Sequence, residues 1–410
     1  MKNLVRKITP NFLINLYHYL LALTGALFYG FPSKKIKVIG ITGTNGKTTV
    51  TEMVAKILEE AGYKVALMNS IRFKIIDKEE PNMLKMTMPG RFIIQKFLRK
   101  AVNSNCQYMV LEVTSEGLRQ HRHRFINFTA AIFTNLTPEH IESHGGFEKY
   151  KVAKGKLFKT CKNIHIINIE DENANYFLQF KANKKYTYGL NKGDINNRDI
   201  RLNLKLPGEF NIYNALAAIS LAISQGIKLE IAKKAVEKIE NIAGRMEEVI
   251  SYPFKVIVDY AVTPDALEKA YQTIKNMYSV SKTICVFGSC GGGRDKWKRP
   301  ILGKIAAKYC DNIILTNEDP YDEDPLKIIE DIEKGIVEFE NFKSKKVEYE
   351  KILDRKEAIK KSLEIAKNND IVIITGKGCE PWMCFENNKK IPWDEREIIK
   401  EEFRKVYGKV

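Results

Sequence analysis

The sequence predicts an α/β protein with two principal domains: a central one built around a P-loop on a mostly parallel sheet, and a smaller Rossmann-like one on its C-terminal side. Three observations carry this. From Val38 to about Gly244, short apolar runs alternate with helical patterns. One of these runs, Val38–Ile41, ends in the turn Gly43-Thr44-Asn45-Gly46-Lys47-Thr48-Thr49 and passes directly into a helical pattern at Val50, Val54, Ile57 and Leu58. After Gly244-Arg245-Met246-Glu247 a second series of strand–helix units begins. At 410 residues the chain can bury two or three cores.

The first element is Asn11–Phe31, long and apolar. Lys2, Arg6 and Lys7 precede it, and Lys34, Lys35 and Lys37 come after it. Its length would allow a membrane span. Asn15, Tyr17, His18, Tyr19, Thr24, Gly25 and Gly30 dilute it, so it reads as a helix docked on the central domain or lying at a membrane surface. It lacks the layout of a cleaved signal. Residues 1–36 are therefore an apolar helical segment, 37–245 the central domain and 246–410 the C-terminal domain.

A strand, a glycine-rich turn, Lys-Thr and a helix form the layout of a phosphate cradle. Backbone N–H groups of the turn and of the helix start point at phosphate oxygens. Lys47 reaches the β- and γ-phosphates, and the Thr48 hydroxyl can hold Mg²⁺. Ile41 stands where the strict consensus has its first glycine, so a βα turn that merely uses glycines is the alternative.

Further strands are expected at Lys64–Met68, Tyr108–Val113, Ala130–Asn135 and Ile164–Ile169, and helices at Asn211–Gln225 and Leu229–Ile239. The C-terminal ends of parallel strands face one crevice. Glu112 is thus a candidate Mg²⁺ ligand, with an acidic helix cap as the alternative. His140, just past the next strand, is a second candidate ligand. Gln120-His121-Arg122-His123-Arg124 is a basic cluster that could clamp a phosphate or carboxylate, or be a solvated turn. In the second domain we expect a hairpin of Glu248–Ser251 with Lys255–Asp259, a helix from Pro264, and strands Thr283–Phe287, Asn312–Thr316 and Ile371–Thr375. Gly288–Lys296 comes after a strand as an anion-binding turn, with Lys298 and Arg299 adding cations.

A net charge of +17 favours anionic partners: nucleotides, phosphorylated substrates or an acidic membrane face. No nucleic-acid-binding motif accompanies the charge, so nucleic acid is not expected. The seven cysteines form no CxxC pair, and no secretory signal precedes them. The chain reads as reducing and cytoplasmic, without a zinc ribbon or disulfide framework.

Taken together, the motifs resemble the Mur ligase family, ATP-dependent amide-bond-forming enzymes of peptidoglycan precursor synthesis, of the UDP-N-acetylmuramyl-tripeptide synthetase (MurE) type. They are GTNGKTT at Gly43–Thr49, LEVTSEGLRQHR at Leu111–Arg122, FTNLTPEHIESHG at Phe133–Gly145 and LPGEFNIYNALAA at Leu206–Ala218. GRME at Gly244–Glu247, VDYAVTPDALE at Val258–Glu268, GGGRDKWKRP at Gly291–Pro300 and TGKGCE at Thr375–Glu380 continue in the family's order. The resemblance implies that Gly43, Thr44, Asn45, Gly46, Lys47, Thr48 and Thr49 bind ATP phosphates and that Asn214 reads the adenine. It implies Mg²⁺ held by Thr48, Glu112 and His140, with Lys154 as a carbamylated lysine beside them. Thr87, Met88 (a threonine in the family), Thr114, Gln120 and Arg122 would hold the acceptor. Arg294, Gly376 and Glu380 would hold the incoming amino acid.

Three departures qualify this. With residues 1–36 alone before the central domain, the family's N-terminal domain that grips uridine diphosphate is expected to be missing, so the acceptor is a nucleotide-sugar peptide or a lipid-linked one. Glu318-Asp319-Pro320-Tyr321 stands for the family's Asp-Asn-Pro-Arg; with Asp322, Glu323 and Asp324 it suggests an acidic rim that favours lysine or a small neutral amino acid. Val262 and Cys379 replace histidines. A monomer is expected. A ligase for another acceptor, of folate-polyglutamate type, and a non-catalytic ATP-binding scaffold are the alternatives.

Overall fold

The computed structural model describes residues 10–278, 281–343 and 347–408. Lys2, Arg6 and Lys7 lie outside them. The described chain forms two compact units. The first comprises the residues up to Pro138, Phe147–Leu204 and Asn211–Ile239; the second comprises Glu139–Gly146, Lys205–Phe210 and the residues from Glu240 on.

The first unit is built on nine strands: β1 (Lys37–Thr42), β2 (Val65–Met68), β3 (Arg72–Ile75), β4 (Lys78–Pro81), β5 (Tyr108–Glu112), β6 (Phe128–Phe133), β7 (Ile164–Asn168), β8 (Lys184–Gly189) and β9 (Ile195–Asn196). Their order is β4-β3-β2-β5-β1-β6-β7-β8-β9. From β2 to β9 every pairing is parallel, while β3 and β4 form an antiparallel edge. The central strands are buried, as their apolar runs require in a sheet covered on both faces. The edge was not expected: β4 is Lys-Glu-Glu-Pro, wholly exposed, and carries no alternation to read.

Three helices bear on the functional surfaces: α1 (Asn11–Phe28), α2 (Lys47–Glu60) and α3 (Arg91–Asn103). α1 packs on α3. Ala22, Gly25 and Ala26 are buried, and Gly25 lies against Phe92. Arg99 of α3 donates to the carbonyls of Tyr29 and Gly30, the latter at 3.0 Å, and so satisfies the orphan carbonyls where α1 ends. Among the described residues no helix is long and apolar enough to cross a membrane.

The second unit holds β10 (Glu247–Ile250), β11 (Lys255–Asp259), β12 (Thr283–Phe287), β13 (Asn312–Leu315), β14 (Glu348–Lys351) and β15 (Ile371–Thr375), ordered β10-β11-β15-β12-β13-β14. In this sheet β10 pairs antiparallel and the other strands pair parallel. Alternate residues feed two cores. Ile257, Cys285, Ile313 and Ile373 face one way, and Val256, Val286, Ile314 and Ile374 the other. A small hairpin of β16 (Trp382–Cys384) and β17 (Lys390–Pro392) lies beyond the sheet in sequence.

The expectation of a chain without disulfides is corrected. Cys285 on β12 and Cys310 at the end of the next helix are bridged, with their Cα atoms 6.1 Å apart. The crossover through Lys298–Tyr309 returns the chain beside β12, which brings the two buried cysteines together. A separation of 25 residues carries no signature by which sequence could have paired them.

Candidate active site

Strand register builds the first cluster. Ile41 pairs with Glu112 at the end of β5, and Thr42 with Phe133 at the end of β6. The three strands stop at one level, so the turn after β1 lies beside the segments that leave β5 and β6. The neighbours tie the turn down. Thr44 N–H donates to the Asn135 carbonyl at 2.8 Å, and Asn45 N–H to Asn135 Oδ1 at 2.9 Å. The Thr134 hydroxyl donates to the Asn45 carbonyl at 2.7 Å. Gly43 and Gly46 are required by contact as well as by backbone. A Cβ on Gly43 would run into the Thr134 hydroxyl; one on Gly46, at φ +81°, would run into the Asn214 amide oxygen. Asn214 in turn donates to Asn211 Oδ1 at 3.0 Å.

Past Gly46, α2 starts at Lys47 with no acid in its first turn, so its N-terminal partial positive charge is not offset from within. Lys47 Nζ donates to the Thr44 carbonyl at 2.7 Å. The Thr48 hydroxyl donates to Glu112 Oε2 at 3.0 Å and lies 2.9 Å from the Ser70 hydroxyl; Ser70 N–H meets the same carboxylate oxygen at 3.1 Å. Thr49 is buried on the first turn of the helix. Lys154 is buried, donates to the Gly43 carbonyl at 2.6 Å, and stands 4.6 Å from the centre of the Tyr150 ring. The Tyr150 hydroxyl reaches Thr44 Oγ1 at 3.1 Å. Thr48, Glu112 and Lys154 thus gather on one glycine turn. Thr134, Asn135, Ser70 and Tyr150 complete the cluster; Thr134 and Asn135 fall within the Phe133–Gly145 motif, but nothing in the sequence pairs any of the four with the turn.

A second cluster in the same unit joins Met88, Gln120 and Arg122. Arg122 donates to the Met88 carbonyl and, at 2.9 Å, to Gln120 Oε1. Arg91 donates to the Gln120 carbonyl. Thr114 caps the helix Ser115–Arg119 by accepting from Gly117 N–H at 3.1 Å. Thr87 is half-buried next to Met88. The basic clamp is narrower than expected. Burial, with Arg124 alongside, pushes His123 down to about 3, so it is neutral and supplies no charge.

In the second unit, His140 opens the short helix Ile141–His144. Asp295 accepts from Ile141 and Glu142 N–H, both at 3.0 Å, and Lys298 donates to the buried Glu139 at 2.9 Å. Lys298 and Arg299, expected to offer cations to a ligand, are instead buried and paired, Arg299 with Glu323 and Asp331. Arg294 remains exposed on its glycine turn.

Glu318, Asp319, Pro320 and Tyr321 come after β13 and gather about Lys377, a residue that sequence alone does not single out. Lys377 Nζ lies 3.0 Å from both Asp319 oxygens, 2.8 Å from Glu380 Oε2 and 2.6 Å from the Trp382 carbonyl. The Tyr260 hydroxyl meets the other Glu380 oxygen at 3.2 Å. Gly376, at φ +109°, leaves space for the Glu318 carboxylate. Burial pushes Glu318 up to about 7, against the opposing pull of Arg355. The acids expected to form a rim are partly engaged. Asp322 accepts from Asn387 N–H, Glu323 pairs with Arg299 and Lys296, and Asp324 caps the helix at Leu326. Tyr321 N–H donates to the Cys384 carbonyl at 3.2 Å, and its ring lies against Gly292.

A nucleotide phosphate fits the first cluster, whose two glycines keep the turn clear of side chains. Among the described residues no three of His, Cys, Asp and Glu converge. A divalent cation there would rely on Glu112, the Thr48 hydroxyl, water and the nucleotide, which suits Mg²⁺.

Comparison with known proteins agrees with this geometry. The Mur ligase middle domain matches residues 41–222, and the Mur ligase glutamate ligase domain matches residues 244–378. The chain is 39% identical over 409 residues to the UDP-N-acetylmuramoyl-L-alanyl-D-glutamate–2,6-diaminopimelate ligase of Clostridium tetani, covering 94% of this chain and 81% of that one. A solved structure of a ligase with that name is 29% identical with a TM-score of 0.58, covering 90% and 78% of the two chains. Folylpolyglutamate synthase of Mycobacterium tuberculosis shares the fold alone, at 14% identity and a TM-score of 0.69 over 96% of both chains. With both domain models matched and this identity along its length, the chain belongs to the Mur ligase family.

Proposed function

We propose that the protein is an ATP-dependent, ADP-forming ligase that joins an amino acid to a cell-wall precursor peptide in the cytoplasm. The observation that carries this reading is the gathering of Thr48, Glu112 and Lys154 on the Gly43–Thr49 turn. In this reading residues 37–245 serve ATP and residues 246–410 the amino acid, with residues 1–36 as an apolar helical segment. Gly43 to Thr49 hold the phosphates, Lys47 the terminal one, and Asn214 reads the adenine. Thr48, Glu112 and a carbamylated Lys154 are the groups for Mg²⁺ in the first unit, which when bound offsets the charge of the transferring phosphoryl.

The acceptor carboxylate attacks the γ-phosphoryl, giving an acyl phosphate and ADP. The amine of the amino acid then attacks the acyl carbon and phosphate leaves. Thr87, Thr114, Gln120 and Arg122 orient the acceptor. Arg294 orients the amino acid by its carboxylate, with Glu318, Asp319, Pro320, Tyr321, Gly376 and Glu380 around it. Much of the rate comes from this positioning, since an acyl phosphate already carries a good leaving group.

The acceptor is a nucleotide-sugar peptide, as in the names of the relatives. A lipid-linked peptide is the second reading, favoured by the apolar α1, with peripheral membrane contact through residues 11–31. The monomer is the working form. The test is a mass-spectrometric screen of products from UDP-linked and lipid-linked peptides, each with diaminopimelate, lysine or ornithine, alongside phosphate release. One pair is expected to yield a ligated product and stimulated release. No stimulation by any pair would overturn the ligase in favour of a scaffold.

A further inference from the structure

One side of α1 is docked, and the other is apolar and open. Phe12, Leu16, Tyr17, Leu20, Leu27 and Phe28 are 47–77% exposed, whereas Ala22, Gly25 and Ala26 are buried. Positions 12, 16, 20 and 27 recur at helical spacing, so they share a face. Over 18 residues that face is a strip about 27 Å long. A helix that is apolar all round is normally covered on all sides. α3 extends the strip: Phe92, in contact with Gly25, and Ile93 beside it are each 39% exposed.

The two stretches of sequence that supply the strip carry charge of one sign. From Met1 to Thr51 and from Asn82 to Leu111 the sequence contains twelve lysines and arginines and not one aspartate or glutamate. Lys34 and Lys35 stand exposed just beyond α1, and Lys96 and Lys100 on α3. An apolar strip edged by cations suits the interface of an anionic bilayer, where the side chains enter the acyl boundary and the ammonium groups meet phosphates. A second copy of the chain would bring two cationic faces together, which opposes self-association there.

We infer that α1 and the outer face of α3 form one docking face for an anionic phospholipid bilayer, with the protein lying on it rather than crossing it. The same face abuts the acceptor cluster. The Tyr19 ring packs 5.3 Å from that of Phe125 and 6.2 Å from that of His121, on the turn that carries Gln120 and Arg122. Docking therefore sets that turn at headgroup level, where an acceptor with its lipid end in the bilayer would meet it. This last step rests on the acceptor reading above; the docking itself does not.

The test is sedimentation of the full chain with vesicles of phosphatidylcholine alone or in equal mixture with phosphatidylglycerol, without ATP or acceptor, so that its failure leaves the ligase reading standing. Binding is expected to the mixed vesicles and to fall on the order of tenfold at high salt. The double variant Leu16→Glu/Leu20→Glu should bind on the order of 100-fold more weakly. Lys96→Glu/Lys100→Glu, which leaves α1 intact, should lose most of the phosphatidylglycerol dependence. A Leu16→Trp variant should shift its emission to the blue on the mixed vesicles. No binding of the unmodified chain, equal binding to both vesicles, binding unaffected by either double variant, or a dimer that Leu16→Glu/Leu20→Glu dissociates would each overturn the inference.

Discussion

Lys377 and Asp319 form a two-pronged pair in the second unit: the ammonium nitrogen lies 3.0 Å from each carboxylate oxygen, and both side chains are buried. The same nitrogen also reaches Glu380, so one cation fixes two carboxylates assigned to the amino-acid site. Lys377→Met takes away the buried countercharge of Asp319 and should cost about 3–5 kcal/mol, read by urea unfolding. Lys377→Arg should recover part of that stability. If the pair also positions the amino acid, Lys377→Arg should raise KM for the amino acid with little change in KM for ATP. Equal changes in both would assign Lys377 to the scaffold alone.

Gly46 and Asn214 are linked through space. Gly46→Ala introduces a Cβ against the Asn214 amide and forces alanine into a left-handed conformation, which alone costs about 1–2 kcal/mol. ATP affinity should fall by at least about tenfold. Adding Asn214→Ala removes the clash but not the backbone cost, so the pair should lose less than the sum of the two single changes. Strict additivity, measured by nucleotide titration, would contradict the contact.

Lys154 holds the turn at the Gly43 carbonyl. Lys154→Ala removes the bond to the Gly43 carbonyl and should abolish turnover, with partial recovery in added short carboxylates that stand in for a carbamate. Absence of recovery, together with intact-protein mass lacking an added carbon dioxide on the native chain, would leave Lys154 as a clamp on the turn.

Glu318 gives a pH dependence with a definite sign. Its carboxyl rises from 4.5 to about 7 on folding because it is buried. The folded state therefore holds the proton more tightly than the unfolded one. That stabilisation is complete below about pH 4.5 and is lost as pH rises through 7, about 3 kcal/mol at most. Between pH 5 and pH 8, unfolding free energy of the native chain should fall relative to that of Glu318→Gln. Parallel profiles for the two proteins would show that Glu318 does not titrate in that window.

The parallel strands and the phosphate turn were legible because apolar runs, glycines and Lys-Thr signal locally, and the strand ends at Glu112 and Phe133 fell within two residues of where the patterns put them. Features that depend on distant pairing were not. Thr134 and Asn135 hold the turn from the segment after another strand, Lys377 pairs with an acid almost sixty residues away, and Cys285 finds Cys310 only once the crossover has formed. The partners of Asp322 to Asp324 were hidden for the same reason: one-dimensional composition counts charges but not the N–H groups and guanidinium that meet them.

The Met88 thioether packs beside Gly117 in the core, while its peptide oxygen is the atom that Arg122 grips. Every amino acid carries that oxygen. A substitution at this position therefore leaves the guanidinium's anchor in place and changes what fills the space beside Gly117.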